Sequence, residues 1–319
     1  MQWNIIKLPA LLIVLVSFVF SETSSKTKAP EIGMWVWKKE SYQDPLQRAK
    51  LIEFSQKNHI QKLLIQVRFE EVEGQLKLAD ESSWKELLAL SQKAGITIEA
   101  LDGGRTMASA EERATTLKKV DALLAFQKGS PENARFSGFH YDIEPYLCDK
   151  WKNGEQHLVM SEFLQTADEI QTKIKKSQIP VTLSYDIPSW YDKKEELSIE
   201  FKGKTKNFHQ HIQDLSDYVG IMSYRRKASG ENSVADLCSA ELAYAESTGK
   251  RVYAGLETLQ LKADPQISFY GEPKESFINT VKDVLSAMGS SKAFGGVFVH
   301  HYNSVQEILD GSTLILPSK

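Results

Sequence analysis

Eight short apolar segments alternate with amphipathic segments along this chain, and the alternation limits the folds that it can adopt. The apolar segments are rich in β-branched and aromatic residues and cover 33–37, 62–68, 96–102, 136–144, 180–186, 218–224, 251–257 and 295–302. Helical periodicity covers 45–57, 83–94, 110–127, 158–176, 208–215, 233–248 and 275–288. Strands that alternate with helices pair in parallel. Eight such units, with no glycine-rich phosphate loop after the first, predict a closed α/β barrel, the (β/α)8 or TIM barrel, rather than an open doubly wound sheet.

The N-terminal segment differs from the rest of the chain. Lys7 precedes an apolar run over 8–20, and Ser21 and polar residues follow it. This order is typical of a secretory signal peptide, and the run is shorter than the about 20 residues of a membrane span. An uncleaved N-terminal anchor is the alternative. We predict a signal peptide over 1–21, a linker over 22–30 and a secreted or periplasmic catalytic barrel over 31–319, with no other membrane contact.

The charge and the cysteine content of the chain limit the partners and cofactors that it is expected to bind. The chain has 39 basic and 42 acidic residues in a mixed order, so there is no basic field for nucleic acid. Cys148 and Cys238 are the two cysteines, which either pair in an oxidising compartment or stay free. No spacing of cysteine and histidine is typical of a structural zinc site. We expect a monomer without a cofactor.

Charged and aromatic residues end most of the predicted strands. The active site of such a barrel lies at the carboxyl ends of its strands. Burying these side chains costs free energy unless they are paired, so a purely structural barrel has no reason to keep them. The last inward residues are predicted to be Trp37, Arg68, Asp102, Glu144, Asp186, Tyr224, Glu257 and, on strand eight, His300 or Tyr302.

Strand four carries the densest group of polar side chains. Alternate side chains on a strand share a face, so His140, Asp142 and Glu144 line the barrel together. Two carboxylates that close in a shielded mouth cannot both ionise freely, so one pKa should rise, as a general acid requires. An ion pair of either carboxylate with Arg68 or Arg225 is the structural alternative.

The same strand resembles the Asp-x-x-Asp-x-Asp-x-Glu signature of glycoside hydrolase family 18, the chitinases and their relatives. Met222-Ser223-Tyr224 resembles that family's Met-x-Tyr motif on strand six. The resemblance implies a chitinase-like hydrolase of poly- or oligosaccharides in which Glu144 protonates the glycosidic oxygen. It also implies that Asp142 orients an N-acetyl group and that Tyr224 holds the acetamido oxygen, so that the substrate supplies its own nucleophile.

The chain departs from the family pattern at several positions. Ser137 and His140 replace the first two aspartates of the signature. Arg225 stands where Asp or Asn is usual, and residues 300–302 read His-His-Tyr instead of ending the strand in the customary Trp. The resemblance is therefore a distant one.

Glu144 and Glu257 also resemble the acid/base and the nucleophile of the large clan of retaining barrel glycosidases. Two such carboxyl groups lie about 5 Å apart. That clan has Asn before its strand-four Glu, where this chain has Ile143. Glu257 is thus either a nucleophile or an ion-pair partner of Arg68 or Arg225.

Further residues near the strand ends suit a carbohydrate cleft, because flat aromatic faces stack on sugar rings and carboxylates bind sugar hydroxyls. The predicted substrate-binding residues are Trp37, Arg68, Asp102, His140, Tyr146, Asp186, Trp190, Arg225, His300 and Tyr302.

Two other classes of protein stay open. His140, Asp142, Glu144 and the histidines at 300–301 have the chemistry of metal ligands, so a metal-dependent hydrolase is an alternative. Barrels of the amidohydrolase type, however, present His-x-His at the end of strand one, where this chain has Trp-Val-Trp over 35–37. A non-catalytic carbohydrate-binding barrel is the last alternative, and the presence of Glu144 favours the enzyme.

Overall fold

The computed structural model describes residues 29–314, so the predicted signal peptide, most of the linker and the last five residues lie outside the described residues. Eight parallel strands form a barrel, which closes because β1 pairs with both β2 and β8. The predicted (β/α)8 barrel is confirmed. The strands are β1 (Glu31–Val36), β2 (Lys62–Gln66), β3 (Thr97–Gly103), β4 (Gly138–Asp142), β5 (Thr182–Pro188), β6 (Tyr218–Met222), β7 (Arg251–Glu257) and β8 (Phe294–His300).

One principal helix follows each strand. These are α1 (Pro45–Lys57), α2 (Glu81–Lys93), α3 (Arg113–Gly129), α4 (Gln156–Ser177), α5 (Phe208–Asp214), α6 (Ser239–Thr248), α7 (Lys274–Met288) and α8 (Tyr302–Leu309). Short helical turns lie at Glu40–Gln43, Glu132–Ala134, Pro145–Leu147, Asp149–Lys152, Glu195–Leu197, Val234–Leu237 and Pro265–Ile267. Local sequence sets the helix starts: Asp44 accepts hydrogen bonds from the backbone N–H groups of Leu46 and Gln47, and Pro45 opens α1. Within residues 29–314, no helix has the length and apolar character that crossing a bilayer requires.

Two β-hairpins in the loops were not predicted. Each turns through two residues with positive φ, Glu73-Gly74 and Lys202-Gly203, as a tight hairpin turn requires. Their strands are short and mostly polar, so they lack the apolar pattern that marks the barrel strands. The hairpin strands are Phe69–Val72 with Gln75–Leu78, and Ser198–Phe201 with Lys204–Asn207.

Side chains alternate between the inner and the outer face of each strand, so the barrel has two cores. Outward side chains pack against the helices in the larger core. The inner core is a small cluster of Trp35, Leu64, Leu101, Tyr218, Tyr253 and Phe298. Tyr253 and Phe298 stack with ring centroids 4.3 Å apart, and a Cβ at position 33 would lie 2.5 Å from the Phe298 ring, so Gly33 leaves it space. The barrel interior is therefore packed below the mouth.

A buried ion pair lies among these inner side chains. Lys62 pairs with Glu99, whose other oxygen accepts hydrogen bonds from Tyr218 at 2.6 Å and Ser184 at 3.1 Å. Burial raises the pKa of Glu99, but the charges of Lys62 and His140 and the hydrogen bonds from Lys62 and Tyr218 together outweigh it, so the pKa lies below its usual value. Glu99 is therefore a buried charge that several neighbours stabilise, with Lys62 as the largest contributor.

A second buried acid, Glu241 of α6, has no such partner. Neither of its carboxylate oxygens has a hydrogen-bond partner among the described residues. His209 Nδ1 lies 3.7 Å away, beyond hydrogen-bond distance, and that nitrogen contacts the Gln213 amide at 3.1 Å. Burial, and secondarily Asp192, raises the pKa of Glu241 to about 8, and burial lowers the pKa of His209 to about 4. Between these values both side chains are neutral.

Replacement of Glu241 by Gln is expected to raise the free energy of unfolding by about 4–5 kcal/mol at pH 8 and to change it little at pH 4. A group whose pKa is raised by folding lowers stability as pH rises from its unfolded pKa, near 4.3, to its folded pKa. Gln stays neutral throughout. Urea unfolding at both pH values measures the effect, and an equal change at pH 4 and pH 8 would rule out ionisation as its cause.

Both cysteines are free and buried. Burial raises the pKa of the Cys238 thiol to about 12. The disulfide that the sequence left open is therefore not formed in the structure.

Candidate active site

Carboxyl groups from neighbouring strands meet at the mouth of the barrel. Asp142 ends β4, Glu144 follows it, and Asp186 lies on the inner face of β5. Burial, then the charges of Asp186 and Glu144, raise the pKa of Asp142 well above its usual value. Burial, then Glu257 and these three carboxyl groups, likewise raise the pKa of Tyr224. The structure thus brings five of the predicted residues together, and the rise expected for one carboxyl group falls on Asp142.

Asp186 is held from below by two buried side chains. Its Oδ2 accepts a hydrogen bond from Trp35 Nε1 at 2.8 Å and lies 2.7 Å from His140 Nε2. His140 Nδ1 is 2.7 Å from the Ser184 hydroxyl. His140 is completely buried, with protein groups at both ring nitrogens, so it supports the mouth from beneath and does not face a substrate. Asp186 Oδ1 has no hydrogen-bond partner within residues 29–314.

An aromatic wall stands beside Glu144. The Tyr146 hydroxyl donates a hydrogen bond to Glu144 Oε1, and burial, followed by the nearby Glu144 charge, raises the pKa of Tyr146. The Tyr146 ring meets Trp190 edge to face at 5.3 Å, and Trp190 meets Tyr191 in the same way at 4.8 Å. These residues follow β4 and β5, so the loops that the sequence pointed to do border the carboxyl group of Glu144.

Glu257 belongs to a hydrogen-bonded chain on the opposite side of the barrel. His300 Nδ1 lies 2.9 and 3.0 Å from its two oxygens, and the Leu259 N–H donates to Oε1 at 2.7 Å. Trp37 Nε1 donates to His300 Nε2 at 2.9 Å, so that nitrogen is an acceptor and the ring proton sits on Nδ1. Glu257 thus orients His300, which orients the partly buried Trp37. Its partner is His300, not Arg68 or Arg225.

Two predicted site residues lie away from the mouth. Leu101 and Gly103 take the inward positions at the end of β3, so Asp102 points outward and pairs with Lys119 of α3 at 3.1 Å. Strand eight ends at His300, and Tyr302 begins α8, where its ring packs against Phe54 at 5.4 Å. The prediction that these two side chains face the mouth is wrong, because the alternation along β3 turns Asp102 outward and β8 ends two residues before Tyr302.

The two predicted arginines contact other groups. Arg68 is exposed, and its charge acts on the nearby Tyr42 hydroxyl. Arg225 donates to Asn232 at 3.0 Å and to the Tyr224 carbonyl at 2.8 Å, within its own loop. Neither arginine pairs with Asp142, Glu144 or Glu257 in the part of the chain that the structure describes, so the ion-pair alternative for these carboxylates does not hold.

Residues that the sequence analysis missed form the layer beneath the mouth. Trp35 and Ser184 support Asp186 and His140 through the contacts given above, and the Tyr218 hydroxyl lies 3.3 Å from His140 Nδ1. Trp35 precedes Trp37 by two positions and Ser184 precedes Asp186 by two, so the two-residue period of a strand could have placed both on the inner face. No cluster of three or more His, Cys, Asp or Glu arranged for a metal ion occurs within residues 29–314.

Comparisons with known proteins place this fold among glycoside hydrolase barrels. No protein-family model and no curated protein matches the chain. A family 18 chitinase from Pseudoalteromonas aurantia aligns with a TM-score of 0.52 at 15% identity, over 86% of this chain and 95% of its own. A family 39 enzyme from Xanthomonas axonopodis pv. citri aligns with a TM-score of 0.58 at 13% identity, over 86% of this chain and 60% of its own. The spore cortex-lytic enzyme SleL of Bacillus cereus aligns at 0.51 and 13% identity, over 87% and 72%. The distant resemblance to family 18 is confirmed as a likeness of fold.

Proposed function

We propose that this protein is an exported glycosidase that hydrolyses a poly- or oligosaccharide with Glu144 as the general acid. The observation that carries the proposal is the carboxyl group of Asp142, which is partly buried beside Glu144 and Asp186 and has a raised pKa. Acids that lie close together in a shielded mouth cost stability, so their presence favours a chemical role. The motif on strand four and the glycosidase barrels among the structural neighbours support the same class, and the N-terminal apolar run supports export.

In the proposed reaction, Glu144 donates a proton to the glycosidic oxygen as the bond to the anomeric carbon breaks. The acetamido oxygen of the same sugar attacks that carbon and forms a cyclic oxazolinium ion, while Asp142 accepts the acetamido N–H. Glu144 then takes a proton from water, which opens the ring and regenerates the acid. Tyr146 donates to Oε1 of Glu144, so Oε2 is the oxygen that carries the proton.

Other side chains would hold the sugar in place. Tyr224 has its hydroxyl among the carboxyl groups, where it can donate to the acetamido oxygen. Trp37 and Trp190 offer aromatic faces on opposite sides of the mouth, whereas the buried Asp186 supports the neighbouring Asp142. His300 acts through Trp37 in this arrangement.

A retaining mechanism with Glu257 as the nucleophile is the second candidate. The hydrogen bonds from His300 and Leu259 occupy Glu257, which favours a positioning role. Glu257→Gln is therefore expected to lower kcat by less than about tenfold and to raise KM, because Gln still accepts a hydrogen bond from His300. Steady-state kinetics measure this, and a loss of about a thousandfold in kcat would make Glu257 the nucleophile instead.

Inhibition by a sugar thiazoline tests the acetamido mechanism. The thiazoline mimics the cyclic intermediate, so it should inhibit the wild-type protein competitively. Turnover that the thiazoline leaves unchanged would count against participation of the acetamido group. Activity that persists after exhaustive chelation would separate this mechanism from that of a metal-dependent hydrolase.

A further inference from the structure

A small cavity lies beside the proposed site, between the loops that follow β3 and β4. It has a volume of about 180 Å³ and is bordered by Pro145, the residue after Glu144. Both loops lie at the carboxyl ends of their strands, so the cavity opens on the same face of the barrel as the mouth. Pockets that enclose a whole small molecule usually have about 300–1,000 Å³. This cavity therefore fits a substituent rather than a sugar ring.

Five charged side chains line the cavity, three acids and two cations, and one of the two cations has no partner among the described residues. Lys150 Nζ lies 2.8 Å from Glu111 Oε1 and 3.4 Å from Glu162 Oε1, so it already forms ion pairs with two acids. Arg105 also lines the cavity, and it makes no hydrogen bond or ion pair with any other residue between 29 and 314. An exposed guanidinium beside a cavity is a ready partner for a carboxylate, which it binds with two parallel hydrogen bonds.

The remaining lining indicates what accompanies that carboxylate. Glu162 Oε2 is buried and has no hydrogen-bond partner among the described residues, so a ligand N–H could donate the hydrogen bond that this oxygen lacks. The rest of the wall includes the small apolar groups of Ala108, Pro145 and Val159. A ligand that matches all three features carries a carboxylate, an N–H group and a short aliphatic side chain. A neutral oligosaccharide has no carboxylate for Arg105.

We propose that this cavity binds an N-acylated amino acid that the substrate carries as a substituent. The proposal rests on the proposed function, because a saccharide cleaved at Glu144 is what would bring the substituent to Pro145. Arg105 binds its carboxylate, Glu162 accepts its N–H, and Ala108 and Val159 contact its side chain.

The probe for this site is N-acetyl-alanine, with its methyl ester as the matched ligand that lacks the carboxylate. Ligand-observed NMR with the purified full chain should show saturable binding of the acid with a Kd of about 1–10 mM, as suits so small a ligand. The ester should bind at least about tenfold more weakly than the acid. Arg105→Gln should raise the Kd of the acid by a similar factor, since a charged hydrogen bond contributes about a factor of ten to affinity. Lys128→Gln removes an exposed cation at the far end of α3 and should leave binding unchanged.

Equal binding of acid and ester, wild-type affinity in Arg105→Gln, or no saturable binding of the acid would each overturn the proposal. Thermal unfolding of the variants, matched to the wild type, excludes loss of fold as the cause of weakened binding. The binding assay needs no turnover, so the two proposals can fail separately. A protein that binds the acid through Arg105 but cleaves no saccharide loses the proposed function and keeps the site.

Discussion

Glu144→Gln is expected to lower kcat by about a thousandfold while the protein still binds its oligosaccharide. Gln keeps the size of the side chain and can still accept a hydrogen bond from Tyr146 at its carbonyl oxygen. It has no acidic proton to give to the glycosidic oxygen, and general-acid catalysis contributes about 10²–10⁴ in rate. A kcat value and a separately measured Kd for the oligosaccharide distinguish loss of chemistry from loss of binding.

Asp102→Asn is the matched control, because Asp102 also ends a barrel strand but points outward to Lys119. Its kcat should stay within about twofold of the wild type, since a substitution away from the reacting groups removes no transition-state contact. If Glu144→Gln and Asp102→Asn have equal kinetic effects, Glu144 is not the acid.

Lys62→Met is expected to lower the free energy of unfolding by about 3–5 kcal/mol at pH 7, because it leaves the charge of Glu99 buried without its partner. In the wild type, Lys62 keeps the pKa of Glu99 low. The stabilisation from that lowered pKa is present above the unfolded pKa, near 4.3, and is lost as pH falls through the folded one. The loss in the free energy of unfolding that the substitution causes should therefore become smaller toward pH 4, because Glu99 of the variant is readily protonated there.

Urea unfolding of Lys62→Met and of the double variant Lys62→Met/Glu99→Gln measures this coupling. The double variant removes both charges, so it should recover much of the stability at pH 7. Additive losses would show that the two side chains do not act as a pair.

Most of the barrel could be predicted because its strands repeat one strong pattern. All eight strands were located, and the bounds of β7 and α1 agree with the prediction, since apolar periodicity and the Asp-Pro start of α1 are local features. The hairpins at 69–78 and 198–207 were missed because their stability comes from turn geometry and pairing, not from an apolar pattern. The start of α8 at Tyr302 was predicted as strand for a different reason, because its apolar residues continue the apolar pattern of β8.

The candidate site was predictable where two-residue alternation held up to the strand end. That rule placed Asp142, Glu144 and Asp186 correctly, and it failed at Asp102, because the sequence does not reveal which phase of β3 faces inward. Partners on neighbouring strands were beyond that rule: the contacts of His140 with Asp186 and of Glu257 with His300 join residues far apart in sequence. Such pairs depend on the register between neighbouring strands, and no local pattern encodes that register.

Hydrolysis by the wild-type protein tests the central claim most directly. The purified protein is incubated with α- and β-linked oligosaccharides that differ only in the presence of N-acetyl groups, and NMR records the products and their anomeric configuration. The proposed mechanism predicts cleavage of an N-acetylated member with retention of configuration, and no cleavage of its counterpart without the acetyl group. If the protein binds members of this panel but cleaves none of them, the claim is contradicted and the protein is a carbohydrate-binding barrel.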